Sequence, residues 1–445
     1  MSTHSSVSAI STASQSPINP QSQLRVLPLA DVVSEIHEQS VPDFASRALD
    51  RLQGSLYASL KYLQLCEPGQ VLPHTWVGYR NGEITGVLLF RVQGRCVKVV
   101  SEVIVLDPSQ IDAFSACVFR HFPGVRRIIF NAVSLQSRPC SLPNQHFAYS
   151  ENYVLTLPAS NETYLAALGK STRQSVRGYR NRLRRDFPDF SWTAYTCDVL
   201  STEQQRDLVQ TLQRFKRESM NARGKSASID PAETERILTM AAECGLFGIG
   251  VIQGRVCAGA LSCRIGDTYV MLLSASDPTM SSYRLGMLTC LWSIGDCIER
   301  GARECHLLWG RYAYKHQLKA VPRVLQRMMV YPSVRQMLLQ PLTVLMMMMR
   351  GQYVRGERWL REQIAAQNIP ALKWLVRQFR MIKPTLVFFR GILQRLRSRS
   401  ASMMASKNMM CTAGGDVVGT GEKSRCPTQF PKPSSAGACC ARRIE

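Results

Sequence analysis

Two separate stretches of this chain repeat one order of turn and strand signals, and that repeat restricts the fold more than any other feature. In the first, HTWVGYRNGEITGVLLFRVQGRCVKVVSEVIVL (His74 to Leu106), Asn81-Gly82 follows the strand pattern Trp76 to Tyr79, and Gln93-Gly94 marks a second turn. Gly accepts positive φ without a Cβ clash, which a tight hairpin demands. A helix period around Gln110 to His121 and the strand RRIIFNAV come next. In the second, LFGIGVIQGRVCAGALSCRIGDTYVMLLSASD, turns at Gln253-Gly254 and Gly266-Asp267 separate three strands. There GMLTCLWSIGDCIERGA supplies a helix with Leu288, Leu291, Ile294 and Ile298 on one stripe, and ECHLLW closes with a strand. The shared order predicts an internal duplication. It lacks the regular βα alternation of a large barrel, so the expected class is α/β, a mixed sheet with helices on its faces.

The connecting segments read less uniformly. Residues 1–23 are Ser-rich without a period, which predicts a disordered leader. From Leu29 to Leu65 the chain reads as helices, with apolar positions three and four residues apart. Ser201 and Gln204 form a capping pattern, and Asp230-Pro231 with Glu233 forms another that Gly245 stops. Between those two helices, MNARGKSAS carries Arg223 and Lys225, placed to close over an anionic substrate.

Composition settles only broad questions. An apolar share of 45% is that of a globular protein. Cys66, Cys96, Cys117, Cys244, Cys263 and Cys290 are scattered among apolar residues without metal-ligand spacing, so free thiols of a cytoplasmic protein are expected and no metal site. The formal charge of +23 is concentrated. GKSTRQSVRGYRNRLRRDF (Gly169 to Phe187) is one basic block; residues 350–399 hold twelve Lys or Arg against Glu357 and Glu362. Nucleic acid, an anionic membrane surface and a nucleotide-linked substrate all fit such blocks. No zinc-finger spacing, RNA-binding aromatic signature or P-loop selects nucleic acid.

Two stretches carry candidate chemistry. In SSYRLGMLTCLW a helix opens near Leu285 after a polar loop, so the N–H groups of Arg284, Leu285, Gly286 and Met287 are candidates to receive a pyrophosphate. In LLWGRYAYKHQLKA, Tyr312, Tyr314 and Lys315 lie beyond the closing strand, at the side where α/β sheets bind ligands. Tyr314 is a candidate proton or hydrogen-bond donor, and Lys315 an exposed charge for phosphate or carboxylate. His306 is a candidate base, with a structural reading beside it because Cys305 and Leu307 flank it.

From about Leu29 to Met329 the chain resembles the FemAB-like branch of the GNAT acyltransferase superfamily, in particular the CelD-like group, also labelled BioF2-like acetyltransferases. LGKSTRQSVRGYRNRLRRD resembles that group's basic helix, SASDPTMSSYRLGMLTCLWSIGDCIERGARE its loop, Gly and long helix, and LLWGRYAYKHQL its closing strand with Gly310, Tyr314 and Lys315 in register. The chain departs from the pattern at His306, where Asp is common, and at Arg311 and Tyr312, where acids are common. The resemblance implies a duplicated GNAT-like sheet, with units at 29–150 and 151–332. It also implies acetyl-CoA or another acyl-CoA as donor, and transfer to an amine or hydroxyl of a saccharide or cell-envelope precursor. Arg173, Arg177, Arg180, Arg223 and Tyr312 would bind substrate. A non-catalytic role among polysaccharide-synthesis proteins, and an aminoacyl-tRNA-dependent or tRNA-binding role through the basic helix, stay open beside it.

At the C-terminus, PLTVLMMMM is too short to span a bilayer. Residues 341–400 read as a basic amphipathic helical segment that lies on an anionic membrane, covers the core or binds a partner. Residues 401–445 lack periodicity and read as a disordered tail.

Overall fold

The computed structural model describes residues 26–29, 32–136, 140–222 and 230–367. The expected leader, Arg223 and Lys225, most of the basic segment beyond residue 367, and the tail all lie outside these. Residues up to Leu339 form one compact unit, and Gln340 begins a second.

The first unit opens with β1 (Val26–Leu29) and β2 (Val32–His37), then α1 (Asp43–Gln53), a short 3-10 turn and α2 (Leu60–Cys66). Four strands follow: β3 (His74–Arg80), β4 (Glu83–Gln93), β5 (Cys96–Val99) and β6 (Ile104–Leu106). Next come α3 (Pro108–His121), β7 (Arg127–Leu135) and β8 (Asn144–Thr156). After α4 (Asn161–Ala167) and α5 (Lys170–Asp186) the pattern recurs as β9 (Ser191–Thr196), α6 (Thr202–Asn221), α7 (Pro231–Cys244), β10 (Gly245–Ile252), β11 (Arg255–Ile265) and β12 (Thr268–Ser276). It closes with α8 (Leu285–Glu299), β13 (Glu304–His306), α9 (Ala313–Gln317), β14 (Val321–Val330) and α10 (Val334–Leu338). The second unit contributes α11 (Pro341–Gln367).

All strands join one 14-stranded sheet in the order β1-β2-β3-β4-β5-β7-β14-β8-β13-β12-β11-β10-β9, with β6 beside β7. Read inward from both ends, β2-β3-β4-β5-β7 mirrors β9-β10-β11-β12-β13. The duplication predicted from turn order is thus present in the topology. The first hairpins match closely: Asn81-Gly82 and Gln253-Gly254 all have positive φ, as a two-residue turn of this hand requires. Each hairpin also shifts register one step before its turn, at Gly78/Tyr79 and at Gly250/Val251.

The last strand of each half crosses to the other. β8 pairs antiparallel with β13, β14 pairs antiparallel with β7, and the two run antiparallel to each other from Val321↔Val154 to Val330↔Asn144. Helices cover both faces. Trp76, Phe90, Phe114 and Phe130 meet edge to face under α3 in the first half. In the second half, α8 packs one face through Leu288, Leu291 and Ile294. The other face is covered by Leu212 and Phe215 of α6 with Leu238 and Ala241 of α7.

One expectation is overturned here. Residues 32–37 are a strand and not helix, because Val32, Ser34 and Ile36 are buried at a period of two while their neighbours face outward. The two predicted caps differ in outcome. Ser201 and Gln204 close a full capping box, whereas the Asp230 carboxylate accepts from Ala232 N–H at 3.1 Å and not from Glu233. Gly245 does end α7, since a Cβ there would come within 2.3 Å of Ala241 O.

The strand exchange has a direct consequence for fragments. Residues 170–339 lack β7 and β8, so β13 loses one neighbour and β14 loses both. This fragment is expected to show no cooperative thermal transition by circular dichroism, while residues 1–339 unfold cooperatively.

Candidate active site

The two halves differ where their fourth and fifth strands meet. In the second half, β12 and β13 are parallel for only three pairs, Thr268↔Glu304 to Val270↔His306. Beyond His306 the chain turns away from β12 and bonds β8: Leu307 N–H donates to Tyr153 O (2.7 Å) and Tyr153 N–H to Leu308 O (3.0 Å). The upper part of β12, Met271–Ser276, therefore faces a wedge instead of a neighbouring strand. A bulge in β12 shapes it. Leu261 pairs with Leu273 but Ser262 pairs with Met271, so Leu272 is the extra residue. That insertion rephases the strand and turns Ser274 and Ser276 toward α8.

The same wedge in the first half is filled. β5 pairs with β7 at Cys96↔Arg127 to Lys98↔Ile129, and β6 then takes over beside Val133–Leu135. Ile104 and Leu106 are buried there, and the Gln53 amide clamps Val105 through both its N–H and its C=O.

The two helix openings beside the wedges differ as well. At α3, the Asp107 carboxylate accepts from Gln110 N–H (3.0 Å), and Gln110 reaches back to Asp107 N–H in a closed capping box. A carboxylate already occupies the anion position. At α8 the N-cap is Arg284, exposed, left-handed at φ 55°, and without a side-chain cap. Met287 and Leu288 N–H both return to Arg284 O, leaving Leu285 and Gly286 N–H without an intrahelical acceptor. A Cβ on Gly286 would meet nothing closer than Ser276 Oγ at 3.8 Å, so the space above it is open. Leu285 and Met287 face inward toward the α8 core, and of their N–H groups only that of Leu285 is left without an intrahelical acceptor.

Tyr314 belongs to this wedge. Its ring packs against the α8 core beside Cys290, whose Sγ lies 3.5 Å from Ser274 Oγ. Cys290 is one helical turn from Gly286, and Ser274 shares a strand face with Ser276, so hydroxyl and helix opening lie along one line. Burial, with Cys290 and Tyr312 beside it, holds the Tyr314 phenol above its usual range, and burial likewise raises the Cys290 thiol. Both keep their protons at neutral pH. Tyr312 is exposed and stacks on Tyr314 at 5.9 Å between ring centroids. Gly310, at φ 98°, lets the Tyr312 ring fold back, because a Cβ there would lie 2.6 Å from Cε2.

Lys315 corrects an expectation. It is not an exposed ligand charge but is 1% exposed, with Nζ donating to the carbonyls of Leu307 (2.8 Å), Leu308 (3.1 Å) and Trp309 (2.8 Å). Those carbonyls lie on the segment that parts from β12, and the ammonium supplies donors in place of a ladder. Its charge also lies 4.9 Å from the Tyr153 ring centroid. Burial pulls its pKa down to about 8.

His306 is on the wrong face for the wedge. Cys305 points into the α8 core, so His306, one residue on, projects through the opposite side of the sheet. There it is buried, with Nε2 3.0 Å from Glu304 Oε2 and Nδ1 3.3 Å from Asn152 Nδ2. Arg323 also donates to Glu304 (3.0 Å). Burial alone would raise the Glu304 carboxyl, but His306 and Arg323 outweigh it and hold its pKa at about 2.

The basic helix divides by role. The Arg173 guanidinium donates to Ala166 O and Leu168 O, both at 2.6 Å, and so closes the end of α4 instead of facing a substrate. Arg177 is exposed and Arg180 half-buried on α5. The end of α5 abuts the loop before α8, where Tyr283 donates to Asp186 Oδ2 (3.1 Å) and stacks edge-on against Phe187. Sequence reasoning missed Ser274, Ser276 and Cys290, whose alignment depends on an unpatterned bulge. It also missed His316, whose Nε2 is 3.4 Å from Tyr153 Oη. Among the described residues no group of His, Cys, Asp or Glu converges to hold a metal ion.

Residues 170–316 match the family model for the acetyltransferase (GNAT) domain. No curated protein matches the chain by sequence. Among solved structures, FemX is similar at 11% identity over 69% of this chain and 99% of that one, with a TM-score of 0.48. The C-terminal DUF2156 domain of a putative lysylphosphatidylglycerol synthetase from Agrobacterium fabrum shares 14% identity over 68% of this chain and 96% of its own, with a TM-score of 0.39. A tandem GNAT protein from the clavulanic acid biosynthesis pathway shares 10% over 67% and 98%, with a TM-score of 0.33.

Two outcomes test these assignments. Lys315→Met leaves the Leu307 and Trp309 carbonyls without the ammonium donor and Leu308 O with the Tyr153 N–H alone. It should cost about 2–4 kcal/mol of stability in urea unfolding. Glu304 has a folded pKa below its ordinary 4.5, so its contribution is complete above pH 4.5 and is lost as pH falls through about 2. Wild type should lose stability over that window, on the order of 2–3 kcal/mol, and Glu304→Gln should flatten the profile there.

Proposed function

With a GNAT acetyltransferase domain at residues 170–316 as premise, we propose that the chain is an acyl-CoA-dependent N- or O-acyltransferase with a single donor site, in its second half. The observation that carries this reading is the contrast between the halves. One wedge is filled by β6 beside an acid-capped helix, and the other is open beside an uncapped helix with Arg284 at its mouth.

The residues present fit such a donor. Leu285 and Gly286 N–H would take the pyrophosphate, with Arg284 adding charge and Gly286 allowing close approach. Bound acyl-CoA supplies an acyl group activated as a thioester. Tyr314, protonated and aimed along the wedge, would donate a hydrogen bond or proton to the departing sulfur. The chain's further task is to hold the acceptor nucleophile against the thioester carbonyl. We assign the acceptor to saccharides or cell-envelope precursors, and the working site to the inner face of a membrane, peripherally bound. Tyr312, exposed at the wedge mouth, would meet that acceptor. A second reading takes aminoacyl-tRNA as donor, and the exposed Arg177 on α5 favours it.

Calorimetric titration of the full chain with acetyl-CoA, a longer acyl-CoA and aminoacyl-tRNA separates these readings. One acyl-CoA per chain is expected. Gly286→Val should weaken binding at least about tenfold with an unchanged melting temperature, because the added methyls project into open space. Two molecules per chain would refute the single site; no binding of any acyl-CoA at millimolar concentration would refute the donor. Binding of the tRNA alone would establish the second reading.

A further inference from the structure

α11 carries an apolar stripe that is exposed among the described residues. Leu342, Leu345, Met346 and Met349 recur at helical spacing and are 65%, 52%, 52% and 59% exposed. Trp359, nearly three turns beyond Met349 and about 80° round the helix from it, is also exposed. Soluble proteins seldom leave such a run of large apolar side chains in water, and the run marks a docking face. Three features identify what docks. Residues 331–356 contain no Asp or Glu but include Arg335, Arg350 and Arg355. Residues 350–399 then hold twelve Lys or Arg against two acids. Finally, no described helix is long and apolar enough to cross a membrane.

An apolar stripe within a strongly cationic stretch, too short to span, matches the boundary of an anionic lipid leaflet. A protein groove would satisfy the stripe but leave the charge excess unexplained. We propose that the stripe Leu342, Leu345, Met346 and Met349 of α11 is a lipid-docking face, which seats the chain in the plane of an anionic bilayer leaflet. Met and Leu enter the acyl boundary, Trp359 lies at the headgroup level, and the basic stretch that follows holds the surface electrostatically. This rests on the peripheral-membrane part of the proposed function and names the surface responsible. It is independent of the donor.

The test is co-sedimentation of the full chain with phosphatidylcholine vesicles, with and without phosphatidylglycerol, at low and high salt. It compares wild type with Leu345→Glu/Met349→Glu. Wild type should bind the phosphatidylglycerol vesicles, and binding should weaken with salt. The double variant should bind at least about tenfold less, since each carboxylate must enter the apolar boundary. Because both side chains are exposed, its melting temperature should match wild type, which excludes misfolding as the cause. If wild type binds neither vesicle, the peripheral reading itself is wrong and this inference falls with it. If wild type binds and the variant binds equally, the peripheral reading stands but α11 is not its face. If light scattering shows a dimer that the variant abolishes while vesicle binding is unchanged, a second copy covers the stripe and the inference is overturned.

Discussion

The antiparallel pairing of β8 with β14 is the constraint on which the rest of the fold depends. Each half would otherwise end on an unpaired strand, a row of N–H and C=O groups open to any passing edge. By crossing, β8 completes the ladder of β13 and β14 completes that of β7, and the two meet at the centre. One continuous sheet results, and both halves contribute to the candidate site. Tyr153, on which Lys315 rests and to which Leu307 bonds, comes from β8, outside the matched residues 170–316.

Beside that pairing lies the parting of β12 and β13. Glu304 to His306 bond β8 and β12 at once, whereas Leu307 and Leu308 keep only the bonds to β8, and a wedge opens beside the upper part of β12. The carbonyls of residues 307–309 would be costly to bury without donors. Lys315 supplies them. A lysine that would read as a ligand charge thus holds open the space a ligand needs, while Tyr314, one residue earlier, faces into that space. The first half meets the same geometry differently, by laying β6 into the gap. Duplication gave two copies of one frame, and packing has closed one of them.

Much of this frame was legible in the chain. Asn81-Gly82 and Gln253-Gly254 announced their hairpins because positive φ at both turn residues favours Gly so strongly. The Ser201–Gln204 box and the α8 stripe are local patterns, each decided within a few residues. Other features were not legible for equally definite reasons. Val32 to His37 was missed because a short alternating run carries little signal beside the longer helices that follow. His306 and Lys315 were read as chemistry from their residue types and order. The face on which a strand residue projects, and the depth at which a lysine ends, depend on partners far away in sequence.

The sequence by itself determined the class of fold, the duplication, the helix that opens at Leu285 and the resemblance that points to acyl transfer. These depend on turn chemistry, periodicity and residue order, all local quantities. Only the tertiary structure decided which half keeps an open wedge, which way β8 and β14 cross, and that Arg173 caps a helix while Arg284 stands at a free one. Those outcomes are set by which backbone groups find partners across the sheet. Such pairing joins residues as distant as Tyr153 and Leu308, and no local pattern encodes it.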